Sequence, residues 1–360
     1  MIDGWQHRTM ASALSLAIVV FGVVAPISLS AEVQSAPPIT LPQATTVIWQ
    51  NDSSHPPSGS EVNETDTLDL VRSLIELSRQ SGDLRALGKA EVLLQKVPAS
   101  DLDAAVLSAI IDQRKHLFDK AAATLSRVLA AQPNHPQANF TAYSLAVVQG
   151  DYQQAGEACL RLGSIGYKLI EQSCRHNLMG LKGQPQKAFD GLQRVLNNPP
   201  PHIHQERAWT QATLAELAAA IEHPDTPALY HQTLALAPED HYSAASLADW
   251  YLQHDKAQSA LAILNGRPAS DRLDILRLIA LRQAGSPEAE SLHSRLREQF
   301  SAAGQRDSAI HLHEHARFLL DLEQQPEAAL ELAKKNYEIQ KERADKRLLE
   351  RARRAVEASQ

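Results

Sequence analysis

From Asp66 to the C-terminus, apolar residues recur three and four positions apart with polar residues between them. That is the spacing of helices that each bury one face. The pattern is cleanest over Pro136–Leu162, PQANFTAYSLAVVQGDYQQAGEACLRL, which predicts two short helices broken at Gly150-Asp151-Tyr152. Ala142, Ala146, Ala155 and Leu162 keep the two helices close where they face each other, and Pro133 closes the stretch before. Similar helix pairs can be drawn from Thr67 to Arg343, and the tail from Ala344 to Gln360 reads as one more, polar helix whose Leu348, Leu349, Ala352 and Val356 recur at helical spacing.

Residues Pro136–Leu162 resemble a tetratricopeptide repeat, a helix–turn–helix unit of about 34 residues. One such unit cannot bury its apolar face alone, so the resemblance implies neighbours of the same kind. The small residue at the tight contact of each second helix falls at Ala90, Ala121, Ala155, Ala188, Thr226, Ala260, Ala289 and Ala329, with spacings of 31, 34, 33, 38, 34, 29 and 40 residues. The array is therefore real but uneven. Closing prolines at Pro133, Pro200 and Pro238 strengthen its middle. The resemblance implies an all-α, right-handed superhelical solenoid of about seven or eight pairs over residues 66–343, with residues 344–360 as a capping helix. It also implies a concave groove, lined by the first helices, that takes a protein or peptide. Carried over by position, the groove receives Gln137, Phe140, Ser144 and Val147 from one unit. Ser173, Asn177 and Gly180 come from the next, and Tyr242, Ala245 and Asp249 from a later one. In the last unit His311, Glu314, His315 and Phe318 would face it. The repeated lysines and arginines that grip a C-terminal carboxylate in chaperone-binding relatives are missing from these positions, so an extended or helical protein segment is the expected ligand.

Composition narrows the class. Aromatic residues make up 5 % of the 360 and glycine is sparse, which suits helices, and a net charge of −7 argues for solubility and against a general nucleic-acid binder. No glycine-rich phosphate loop, H-E-x-x-H, C-x-x-C or G-x-S-x-G in context is present, so the chain reads as a non-enzyme. Catalysis or carbohydrate binding in the groove is an alternative that no motif supports.

The N-terminus is a separate object. Arg8 precedes an apolar run from Ala11 to Ala25, Pro26 breaks it, and Ser28-Leu29-Ser30-Ala31 offers small residues for cleavage. Residues 1–30 are thus expected to be a secretory signal peptide, too short for the roughly 20 residues of a membrane span. The alternative is an uncleaved N-terminal anchor. Residues 31–65, rich in proline and serine, read as a flexible linker. Export, with a periplasm as the expected destination, makes the only two cysteines interesting. Cys159 lies on the second helix of one unit and Cys174 on the first helix of the next, at similar heights from the shared loop at a rise of about 1.5 Å per residue. They are expected either to form a disulfide that clamps two units or to pack as two buried thiols.

His311 and His315 sit four apart, on one helix face, with Glu314 beside them. Two imidazoles and a carboxylate in that pattern suit zinc, copper or nickel, which makes a metal-handling accessory protein the second reading. No further ligand can be named, and without this cluster no cofactor is expected. The first reading is an exported scaffold that binds a protein or peptide partner and supports assembly of an envelope complex.

Overall fold

A computed structural model describes residues 64–81, 84–304 and 311–359. The signal-peptide expectation for residues 1–30 and the linker expectation for residues 31–65, apart from Glu64 and Thr65 at the start of the first helix, lie outside the described residues. Those described hold seventeen α-helices. In chain order the first pairs are α1 (Glu64–Ser81) with α2 (Leu84–Leu94), α3 (Leu102–Arg114) with α4 (Phe118–Ala131), and α5 (Pro136–Gln149) with α6 (Tyr152–Ser164). Then follow α7 (Lys168–Leu181) with α8 (Pro185–Asn197), α9 (His204–Ala220) with α10 (Thr226–Leu236), and α11 (His241–Gln253) with α12 (Ala257–Leu264). The last are α13 (Asp271–Gln283) with α14 (Glu288–Gly304), α15 (Leu312–Asp321) with α16 (Pro326–Ile339), and the single α17 (Arg343–Ser359).

Each helix from α1 to α13 packs on the next, as do α15 on α16 and α16 on α17, and first helices of successive pairs also meet: α1 on α3, α3 on α5, α7 on α9, α11 on α13, α13 on α15 and α15 on α17. This is an all-α solenoid of helix–turn–helix units. Among the described residues apolar clusters follow one another along the stack instead of forming one core, each shared by neighbouring pairs. The small residues at the tight contact explain how the helices come so close. Ala90, Ala121, Ala155, Ala188, Thr226, Ala260 and Ala329 are all at 0 % exposure. Ala289 is only partly buried, on the edge of the Ile275–Phe300 cluster.

Local chemistry sets the helix ends. The Asp101, Asp151, Asp240 and Ser270 side chains accept backbone N–H bonds at the starts of α3, α6, α11 and α13. Gly150 closes α5 at φ 77°. The turn inside seven pairs places a residue in the left-handed region: His116, Gly150, Gly183, Glu222, Asp255, Gly285 and Gln324. At the end of the array Leu348 and Leu349 of α17 pack with Ala316 and Ala333.

Candidate functional site

The groove positions implied by the sequence divide into two sets. Phe140 and Ser144 of α5 and Ser173 of α7 are buried, Phe140 and Ser173 fully. Phe140 meets Trp209 edge-on at 5.4 Å between centroids and Tyr143 at 6.2 Å, and Trp209 meets Tyr143 at 6.1 Å. Three aromatic rings from α5 and α9 thus fill the space in which the resemblance had put a ligand contact. This corrects Phe140 from groove residue to core residue. The Ser144 hydroxyl donates to the Phe140 carbonyl at 3.1 Å, turned onto its own helix. Val147 packs at the rim of the same cluster. Gln137 Nε2 donates to Thr141 Oγ1 at 3.3 Å, and Asn177 Nδ2 to Tyr143 Oη at 2.9 Å. Burial raises the Tyr143 phenol above its ordinary range, so it stays a neutral partner for that amide.

Cys159 and Cys174 are bonded, with Cα atoms 6.2 Å apart, inside this aromatic cluster. Because Cys159 is on α6 and Cys174 on α7, the bridge joins two successive pairs rather than the helices of one pair. Gly163, in the last turn of α6, lies where a Cβ would run into the Glu171 side chain of α7.

Tyr242 and Asp249 of α11 belong to the second set, which is partly exposed and charged. The Tyr242 phenol faces the Glu216 carboxylate of α9, and the Arg272 guanidinium lies over the Tyr242 ring at 4.4 Å. The negative charge of Glu216, followed by burial, pushes the Tyr242 phenol well up. Burial raises the Glu216 carboxyl too, against the pull of Arg343. Asp249 pairs with Arg317, which also holds Asp321 at 3.2 Å, and Arg351 pairs with the other oxygen of Asp321. Burial works against the Asp249 carboxylate, but Arg317 more than offsets it and holds it below the usual range. Phe318, by contrast, is buried beside Phe300 at 5.1 Å and is core.

The partner of this charged set is the chain itself. Between α16 and α17 the segment Ile339–Arg343 runs past the ends of α5, α7 and α9. Ile339 packs on the cluster that holds Leu145 and Val148. The Lys341 backbone N–H donates to the Val148 carbonyl at 2.7 Å, and Arg343 Nη1 donates to the Glu216 carbonyl at 3.2 Å. Gly180 makes room: a Cβ there would lie 2.5 Å from Leu217 and 3.2 Å from Arg343 Nη2. Burial, then the Asp345 and Glu216 carboxylates, push the Glu342 carboxyl up to about 7, with Arg272 and His313 pulling the other way. Asp345 anchors the segment by accepting from the Glu342 N–H at 3.1 Å and from Asn336 Nδ2 and His313 Nδ1 at 2.7 Å each.

The histidine cluster does not gather as the sequence suggested. His311 Nδ1 turns to Asp271 at 2.8 Å, and that hydrogen bond raises its imidazole despite burial. His315 stacks flat on Phe300 at 5.1 Å, where burial and then His311 lower it. Among the described residues no three His, Cys, Asp or Glu side chains converge in a metal-holding group, so His311, Glu314 and His315 are not carried further as ligands.

Sequence reading missed Trp209, Glu216, Arg272, Glu342 and Arg343. Glu216 had a signal: it is the lone charge in the run Ala212–Ala220.

No protein-family model matches the chain, and no curated protein does. Among solved structures it is similar to that of the functional characterization of Pseudomonas aeruginosa PilF, at 13 % identity and TM-score 0.41 over 56 % of this chain and 92 % of the other. It is similar to a Rap protein complexed with Competence and Sporulation Factor, at 13 % and 0.49 over 82 % and 89 %. A third is the P58(IPK) TPR domain, at 14 % and 0.24 over 82 % and 99 %. At these identities and scores the likenesses carry no argument about function.

Proposed function

We propose that the chain is an exported interaction scaffold that holds a protein or peptide partner and supports assembly of an envelope complex. The observation that carries this reading is the make-up of the first-helix face. Where α5, α9 and α11 meet the C-terminal segment and α15, the contacts are Arg317 on Asp249, Arg343 on the Glu216 carbonyl and Lys341 N–H on the Val148 carbonyl, beside the Tyr242 ring under Arg272. A packed core is apolar, whereas surfaces that meet and part are more polar and rich in arginine and tyrosine. The repeat resemblance of Pro136–Leu162 supports the same reading. Export is supported by the apolar run at Ala11–Ala25 and by a cysteine pairing of the kind oxidising compartments preserve. No described helix is long and apolar enough to cross a membrane.

Two measurements test it. A photo-crosslinking residue at Asn177 or Asp249 is expected to capture a discrete envelope protein in living cells, and one at exposed Leu160 on α6 is not. Identical adducts from both faces, or none, remove the scaffold reading. Mass spectrometry of the native chain is expected to find a new N-terminus within a few residues of Ala31; an intact residue 1 removes the cleaved-signal part.

A further inference from the structure

We propose that Ile339–Arg343 is a built-in ligand, and that the first-helix face recognises extended partner segments of the form aliphatic–x–Lys–x–Arg, which compete with this strap. The inference rests on the scaffold reading and names the chemistry of its partner.

Three features of the seat support it. First, the strap is not helical at its centre: Gln340 has φ −124° and ψ 133°. Ile339 closes α16 and Arg343 opens α17, and these two residues with Lys341 between them make the strap's contacts. Second, each of the three meets a feature suited to it. Ile339 enters the apolar cluster of α3, α4 and α5 with Val106, Leu145 and Val148. The Lys341 stem crosses the end of α5 at Gly150, where a Cβ would stand 3.2 Å from its Cδ. Arg343 passes Gly180 and reaches the Glu216 carbonyl. Third, the Val148 carbonyl lies in the last turn of α5, and the Glu216 carbonyl lies one turn before the end of α9. The Val148 carbonyl has no intrahelical partner, so an extended strand laid across the end of α5 finds that acceptor waiting, and Glu216 offers the second lone pair of a carbonyl already bonded within α9. The surrounding acids suit a basic segment: Glu216 and Asp249 face this side, answered by Arg343 and Arg317 from the C-terminal region and by Arg272 of α13.

A ligand tethered in the same chain acts at high effective concentration, so an external segment of equal quality is outcompeted until the strap is weakened. That gives the test. The full mature chain and its I339S/R343A variant are titrated into a fluorescein-labelled synthetic peptide spanning Asn336–Arg347, read by anisotropy. The variant is expected to bind at least tenfold more tightly than wild type, and a peptide carrying I339S and R343A is expected to bind the variant at least tenfold more weakly. A variant with wild-type helix content that ignores the peptide, or that binds both peptides alike, overturns the proposal. Amide exchange in the wild-type chain gives an answer that needs no variant. The Lys341 amide is expected to exchange much faster than the Leu217 amide in α9, through local release of the strap. Exchange of both at one common rate means the strap is a fixed part of the fold, and the proposal fails. Peptide binding without envelope crosslinks would cost only the scaffold reading, and crosslinks without peptide binding only this one.

Discussion

Reducing the Cys159–Cys174 bridge changes one covalent bond in the middle of the array and leaves every atom of the surrounding cluster in place. Both sulfurs lie at 0 % exposure among Phe140, Leu162, Ile170 and Trp209, so the reduced thiols still fill their sites as small apolar groups. What is lost is the constraint on the unfolded chain. The residues are 15 apart in sequence, and closing a loop of that size is worth about 3 kcal/mol in the chain-entropy model. The assay has to be local, because stacked repeats open in pieces and a single melting curve would average over them. The protein is therefore refolded with and without reductant and compared by amide exchange. Exchange in α6 and α7 is expected to accelerate roughly a hundredfold, as about 3 kcal/mol demands. Exchange in α11 to α13, several pairs away, is expected to stay unchanged. An unaltered α6–α7 rate would refute the entropic argument. Equal acceleration along the whole chain would refute the picture of separately opening units.

Glu342→Gln is expected to flatten the pH dependence of stability. The folded carboxyl is raised to about 7 from an ordinary 4.5, so between those values the folded chain keeps a proton that the unfolded chain gives up. Stability therefore falls as pH rises through that window and is level above it, and the glutamine variant should gain on the order of 3 kcal/mol at pH 8 but nothing at pH 4, in urea midpoints. Asp345→Ala strands the Glu342 N–H and the Asn336 and His313 donors, which should cost about 3 kcal/mol locally and open α17 to limited proteolysis while α5–α8 stay resistant. Phe140→Ala removes a fully buried ring from the aromatic trio and should destabilise α5 and α9 by about 3–5 kcal/mol; a drop in partner capture without lost stability would restore Phe140 to the groove.

The helical solenoid was readable because its information is local. A helix face repeats every three or four residues, and the small residue that lets two helices touch, from Ala90 to Ala329, is set by the pair it belongs to. The Cys159–Cys174 pairing was readable for a related reason: one short loop separates the two helices, so their heights could be counted. The first-helix face was not readable in the same way. Its partner at Ile339–Arg343 lies some 120 to 190 residues from the groups it touches at Val148 and Glu216. No periodicity reports a contact at that range. Phe140 shows the same limit, since only Trp209, on a helix two pairs further on, decides whether its ring faces solvent or core. The histidines at 311 and 315 met the spacing rule for one helix face, but Asp271 and Phe300 from the preceding pair claimed them separately.

The turns inside the pairs say how far this chain is from its own stability limit. Seven of them ask for the same backbone conformation, and only Gly150, Gly183 and Gly285 adopt it freely. His116, Glu222, Asp255 and Gln324 adopt it with a side chain attached, at a cost of about 1 kcal/mol each. These joints sit in different pairs, so their costs are independent and add. The molecule thus carries headroom of a few kcal/mol at four positions that lie in turns between helices. Its easiest route to greater robustness runs through its joints.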